Sequence, residues 1–171
     1  MEELNLMDLK AEVSGLWLKR WFVLAAGTMD DFNAMTVGWG SLGGMWGKPF
    51  AQVVVRPTRH TFQYMEKSDT FTLSSFSRDY RDALMVLGST SGRDGDKIGK
   101  SGLTPIPSTK VATPTFKEAE LVLECKKTYW QDMDPTKFLD ESLHKHYSDK
   151  DYHRIYFGEI LRAAAIEGSG F

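Results

Sequence analysis

The stretch Asn33 to Thr61, NAMTVGWGSLGGMWGKPFAQVVVRPTRHT, constrains the chain more than any other segment. Two runs of strand character flank a glycine-rich connection, and a proline then leads into a basic segment. Asn33 to Gly40 alternates in size: Asn33, Met35, Val37 and Trp39 fall on one face, Ala34, Thr36, Gly38 and Gly40 on the other. The bulky set suits a core. The small set leaves a smooth face that a flat ligand or another backbone can approach closely. Phe50 to Arg56 is near-continuously apolar and reads as a further strand, stopped by Pro57 because the residue before proline is held extended.

Gly38-Trp39-Gly40-Ser41-Leu42-Gly43 has the G-x-G-x-x-G spacing, but a dinucleotide fingerprint needs a following helix and an acid about 20 positions later. Here Pro49 and β-branched residues follow, and Thr58 to Gln63 carries no acid. The glycines therefore predict a loop between two strands. Beyond Pro57, Thr58 is a candidate N-cap for a helix over Arg59 to Lys67. Arg56, Arg59, His60 and Thr61 gather at that helix start, where free backbone N–H groups meet cationic and hydroxyl donors. Such a set suits a phosphate monoester. A solvated helix start with incidental basic residues is the competing reading.

Elsewhere, Leu16 to Ala26 reads as a strand ending at Gly27, Met29 to Phe32 as a turn and Thr70 to Ser74 as a strand. Phe116 to Lys127 alternates, turning Leu121, Leu123 and Cys125 inward and Glu120, Val122, Glu124 and Lys126 the other way. His153 to Leu161 is a closing strand. Helices are expected over Asp79 to Leu87, ended by Gly88, and from Asp134-Pro135 with Phe138, Leu139 and Leu143 inward. Ser89 to Gly102 is a polar loop carrying Arg93, Lys97 and Lys100, either anion-presenting or simply solvated. Residues 1–14 read as an arm or short edge segment, and the last nine residues are expected to fray.

A chain of 171 residues is expected to form one domain over 1–171, with its core at about 16–160. A net charge of -2 gives no reason to expect a nucleic-acid partner. No apolar run approaches the roughly 20 residues of a membrane span. The start, MEELNLMDLK, is unlike a secretory signal. The lone Cys125 excludes an intrachain disulfide and points to the reducing cytoplasm. Its strand position predicts a buried apolar residue rather than a nucleophile. His144 and His146 would diverge by about 200° on a helix, and Asp140 with His144 makes only two ligands, so no metal site is expected. Five Trp, ten Phe, six Tyr and eight Met fill a core, or else mark a subunit interface or a planar ligand.

Four segments together resemble the flavin reductase-like family, particularly its flavoredoxin branch. They are Asn33-Ala34-Met35-Thr36 with Trp39-Gly40; Arg56-Pro57-Thr58-Arg59-His60-Thr61; Ser91-Gly92-Arg93-Asp94 with Asp96-Lys97; and Gly158-Glu159-Ile160. The resemblance covers Leu16 to Ile160 and implies a mainly β fold with peripheral helices, an FMN-binding split β-barrel, usually homodimeric. It implies an isoalloxazine against Asn33, Ala34, Met35 and Thr36 and the loop through Ser41. The phosphate would lie on Arg56, Arg59, His60 and Thr61, with Ser91 and Lys97 nearby. Lys97 would stabilise negative charge on the flavin, and Trp39 and Trp46 are candidates to wall its ring. The implied activity passes hydride or electrons from NAD(P)H through FMN to a flavin or other acceptor. A flavoredoxin-like carrier between protein partners, without direct NAD(P)H oxidation, is the alternative.

Overall fold

The computed structural model describes residues 1–171, and β-structure dominates it. In chain order the strands are β1 (Glu2–Leu4), β2 (Phe22–Gly27), β3 (Phe32–Val37), β4 (Gly40–Met45), β5 (Lys48–Val55), β6 (Thr70–Ser75), β7 (Pro105–Ile106), β8 (Thr115–Phe116), β9 (Leu121–Asp132) and β10 (Arg154–Ala165). The helices are α1 (Val13–Gly15), continued by a π-helical stretch over Leu16–Arg20, then α2 (His60–Lys67), α3 (Arg81–Ser89) and α4 (Lys97–Ser101). The main sheet is antiparallel in the order β3-β2-β6-β9-β10-β5-β4, with β1 added along β10 and β7-β8 as a separate pair.

Strand alternation feeds two apolar layers rather than one. From β2, Phe22, Leu24 and Ala26 join the larger cluster, while Val23 and Ala25 join a second one with Ala83, Leu84 and Leu87 of α3. In β9 the expected inward set, Leu121, Leu123 and Cys125, lies in the larger cluster, and Val122 packs in the second. Glu124 is the polar exception. Its fully buried carboxylate accepts the N–H groups of Thr109 (3.1 Å) and Lys110 (2.6 Å) and pairs with Arg162 at 2.8 Å. A buried charge is tolerated only when paired and hydrogen-bonded in this way.

Several expectations are corrected. The first half of Leu16 to Ala26 is helical, and the strand begins only after Trp21, whose φ of 67° breaks the chain direction. A helical turn buries the adjacent Leu16 and Trp17 together, which a strand would split between two faces. The glycine-rich connection is itself strand β4, paired with β5 through Trp46 and Gly47 at φ 54° and 71°. Two positive φ values make the two-residue hairpin turn that matches strand twist. Pro49 is tolerated there because β10 pairs with β5 only as far as Phe50. Helix α3 runs through Gly88 to Ser89 instead of stopping at the glycine. No regular helix follows Asp134: two 3-10 turns, Pro135–Lys137 and Glu141–His146, leave Leu139 wholly exposed, since no sheet face receives that stripe. The C-terminal segment is ordered further than expected, with Ala163, Ala164 and Ala165 buried between β1 and β9.

Cys125 is fully buried, and burial together with the neighbouring Glu124 pushes its thiol far above the usual range. Cys125→Ala is expected to cost on the order of 1 kcal/mol of stability through lost apolar burial. FMN uptake and electron transfer should be unchanged. A folded Cys125→Ala protein without activity would assign the thiol a role that its burial contradicts.

Candidate functional site

The two ends of the sheet, β3 and β4, are joined by Gly38 and Trp39, and a cleft of about 270 Å³ opens beside that link. β3 and its continuation supply Met35 to Trp39, the end of β5 supplies Val54 and Arg56, and Arg59 and His153 complete the wall. Trp39 is 43% exposed, with its ring over His153 (centroids 5.2 Å apart) and edge-on to His146 (5.4 Å). Part of the smooth face of β3 is covered. Ala34 is buried beneath α3, and Thr36 donates to the Leu84 carbonyl at 2.5 Å. Helix α3 thus covers the Ala34 and Thr36 end of that face, while Gly38 remains on the cleft wall.

A second group of residues converges at the start of α2. Asn33 donates from Nδ2 to the Thr61 hydroxyl at 2.7 Å. A Cβ on Gly92 would lie 2.5 Å from Asn33 Oδ1 and 2.7 Å from His60, so only glycine lets the 92–94 turn close onto these two side chains. Arg93 secures that turn by donating to the Thr58 carbonyl (3.2 Å), and Ser91 accepts the Arg93 N–H (3.2 Å). Thr58 does not cap the helix: its hydroxyl donates to Asp151 at 3.2 Å. Arg59 occupies the N-cap with no side-chain cap bond, leaving the first N–H groups of α2 uncapped.

The polar loop over 89–102 is folded rather than merely solvated. Asp96 caps α4 by accepting the Gly99 N–H at 2.8 Å, and Gly102 ends it at φ 72°. This turns Lys97 inward. Only 4% exposed, its Nζ donates to the carbonyls of Leu87 (3.2 Å) and Thr90 (3.3 Å), while Arg59 donates to the Gly88 carbonyl. Two cations thus satisfy the carbonyls at the C-terminal end of α3, where the helix dipole is negative. Burial and the nearby Arg59 bring Lys97 down to about 8. Burial, then Arg56, lowers Arg59. Burial, then Arg93 and Lys97, lowers His60. None of Arg59, Arg93 or Lys97 has a carboxylate in salt-bridge contact, so positive charge collects here with Asp31 and Asp94 acting on it only from longer range.

Other expected residues stand apart. Arg56 lines the cleft, but its guanidinium is held by Asp151 (2.5 Å) and the His146 carbonyl (2.7 Å) and stacks over Tyr147. It straps the 134–152 excursion to the sheet. Ser41, on β4, donates to Gln52 of β5 (3.0 Å), in a neighbouring hollow with Trp17 and Trp39. Trp46 sits at the hairpin turn against Tyr129 and Phe157, away from the cleft. Val37, Gly38, Val54 and His153 line the cleft without having been anticipated. The register Arg154 to Val55 brings His153 level with Arg56, and no local pattern announces that pairing.

This sheet, with its cleft at a seam between strands, is a split β-barrel. Its solved neighbours share the fold. One is flavoredoxin of Desulfovibrio vulgaris, at TM-score 0.68 and 21% identity over 92% of this chain and 74% of that one. An NADH:FAD oxidoreductase of Streptomyces globisporus matches at TM-score 0.67 and 16% identity over 86% and 75%. An FMN-binding protein of Thermus thermophilus matches at TM-score 0.67 and 19% identity over 98% and 82%. In sequence, an uncharacterised protein of Pyrococcus abyssi is 27% identical over 160 residues, covering 90% of this chain and 80% of its own length. The flavin reductase like domain model matches residues 19–170, and the chain belongs to that family. No helix is long and apolar enough to cross a membrane.

Proposed function

We propose that the protein is a single-domain FMN-binding oxidoreductase that takes hydride or electrons from NAD(P)H and passes them to a flavin or other acceptor. The observation that carries this reading is the set of cations without a salt-bridge partner around an uncapped helix start. A phosphate monoester fits that set: its two negative charges would offset most of the positive charge of Arg59, Arg93 and Lys97, and α2 offers free N–H groups. The phosphate is assigned to Arg59, His60, Thr61 and Ser91. Arg56 is left to its strap with Asp151. Lys97 adds charge behind the loop and fixes its shape, because its ammonium is already turned to backbone carbonyls.

When bound, FMN supplies hydride acceptance and one- or two-electron release. The chain's own residues hold and orient it: Asn33 and Gly92 set the approach of the phosphate loop, and Met35 and Trp39 wall the cleft. No side-chain acid–base pair is assigned to the reaction. Exposed Trp46, Tyr129 and Trp130 support a homodimer, since large aromatics of this kind concentrate at interface cores. Similarity to a flavoredoxin supports the carrier role as the second reading.

An absorption spectrum of purified protein, before and after anaerobic NADH or NADPH, tests both. Flavin bands that bleach support the oxidoreductase. Bands that persist, and bleach only with a reduced protein donor, support the carrier. A colourless protein that takes up no FMN overturns both.

A further inference from the structure

His153 is the one imidazole lining the cleft, and its Nδ1 is bonded to a side chain outside the cleft. Its Nδ1 lies 2.9 Å from the Tyr147 hydroxyl, which in turn lies 3.3 Å from the sulfur of Met133. A thioether can only accept, and the hydroxyl has one proton to give. With that proton on Met133 Sδ and one on His153 Nδ1, both short contacts are hydrogen bonds; with the hydroxyl proton on Nδ1, only one is. His153 Nε2 makes no bond within the protein, yet it is absent from the buried polar atoms lacking partners, which are only Trp17 Nε1 and Ser75 Oγ. It therefore opens outward from a residue that is 7% exposed and faces the cleft.

We infer that Tyr147 and Met133 are positioning residues that hold His153 as its Nδ1–H tautomer and present Nε2 to the cleft as a hydrogen-bond acceptor. The charged groups of the wall, Arg56 and Arg59, are donors, and the Thr36 hydroxyl has its proton on the Leu84 carbonyl. His153 thus gives the cleft a nitrogen acceptor opposite the donors Arg56 and Arg59. The ligand group it takes is an amide or imide N–H, and a carboxylate or phosphoryl oxygen is refused at that point. The neighbourhood agrees: burial, then Arg56, with Asp151 opposing, brings His153 down to about 4, so the ring is neutral at physiological pH. That such an N–H belongs to a flavin or nicotinamide rests on the function proposed above; the tautomer does not.

The test is the imidazole nitrogen pattern in ¹⁵N–¹H long-range correlation spectra of flavin-free protein at pH 7. His153 is expected to show a protonated Nδ1 and an unprotonated Nε2. Met133→Leu conserves volume but removes the acceptor, so the Tyr147 proton should turn onto Nδ1 and the two nitrogen signals should exchange character. Tyr147→Phe removes the relay and should also release the Nδ1–H form. A wild-type ring protonated at Nε2, or a Met133→Leu ring unchanged from wild type, overturns the inference. In FMN titrations, Met133→Leu should weaken affinity about tenfold, one hydrogen bond's worth. Because the spectra need no flavin, a protein that binds no FMN would sink the functional proposal while leaving the tautomer result to stand or fall alone.

Discussion

Arg59→Ala combined with His60→Ala is expected to weaken FMN binding about a hundredfold. Arg59 is the cation at the uncapped start of α2 and would contribute a charge-assisted contact of about 1.5–3 kcal/mol. His60 is held below its usual value by burial and by Arg93 and Lys97, so near neutrality it contributes as a neutral donor, about 1 kcal/mol. Flavin fluorescence quenching reads the affinity directly. Arg59 also donates to the Gly88 carbonyl, so the variant's thermal unfolding must be measured beside it. Unchanged affinity in a folded variant would remove the phosphate from this end of the molecule. Weakened affinity with an unchanged melting temperature would assign the effect to the ligand rather than to α3.

Glu124→Ala is expected to be the most damaging single change to stability. It leaves the Arg162 guanidinium, 15% exposed, without its buried partner and orphans the N–H groups of Thr109 and Lys110. Removing one member of a buried pair costs about 3–5 kcal/mol. For a domain of this size that is about 10 °C in melting temperature. Arg162 retains Glu3, but that carboxylate is 62% exposed and compensates weakly. Urea denaturation measures the loss. Glu124→Ala with Arg162→Met should lose less than the single change, because the unpaired charge is removed as well. A loss under about 1 kcal/mol for the single variant would mean that water replaces the carboxylate.

Much of the strand content was legible because apolar alternation and β-branched runs are local. Thr70 to Ser74 and the inward set Leu121, Leu123 and Cys125 needed no tertiary information. The basic cluster at the start of α2 was legible for the same reason: Pro57 and the residues after it fix a helix start by themselves. The stretch over Leu16–Arg20 was misread because its apolar residues satisfy strand and helix patterns alike. The deciding fact, Leu16 and Trp17 buried together, lies in packing against distant strands.

The sequence by itself determined a mainly β chain, a buried Cys125, and a concentration of basic residues at one helix start. Each of these depends on spacing along a few consecutive residues. Only the tertiary structure decided which of those charges remain without a salt-bridge partner. Asp151, 95 positions from Arg56, takes that guanidinium, while Arg59, Arg93 and Lys97 meet only backbone carbonyls. It likewise decided that His153 joins the cleft, through the β10–β5 register, and that α3 covers Ala34 and Thr36 on the small face of β3. Partners so far apart in the chain leave no local periodicity, and their pairing is set by how the sheet closes.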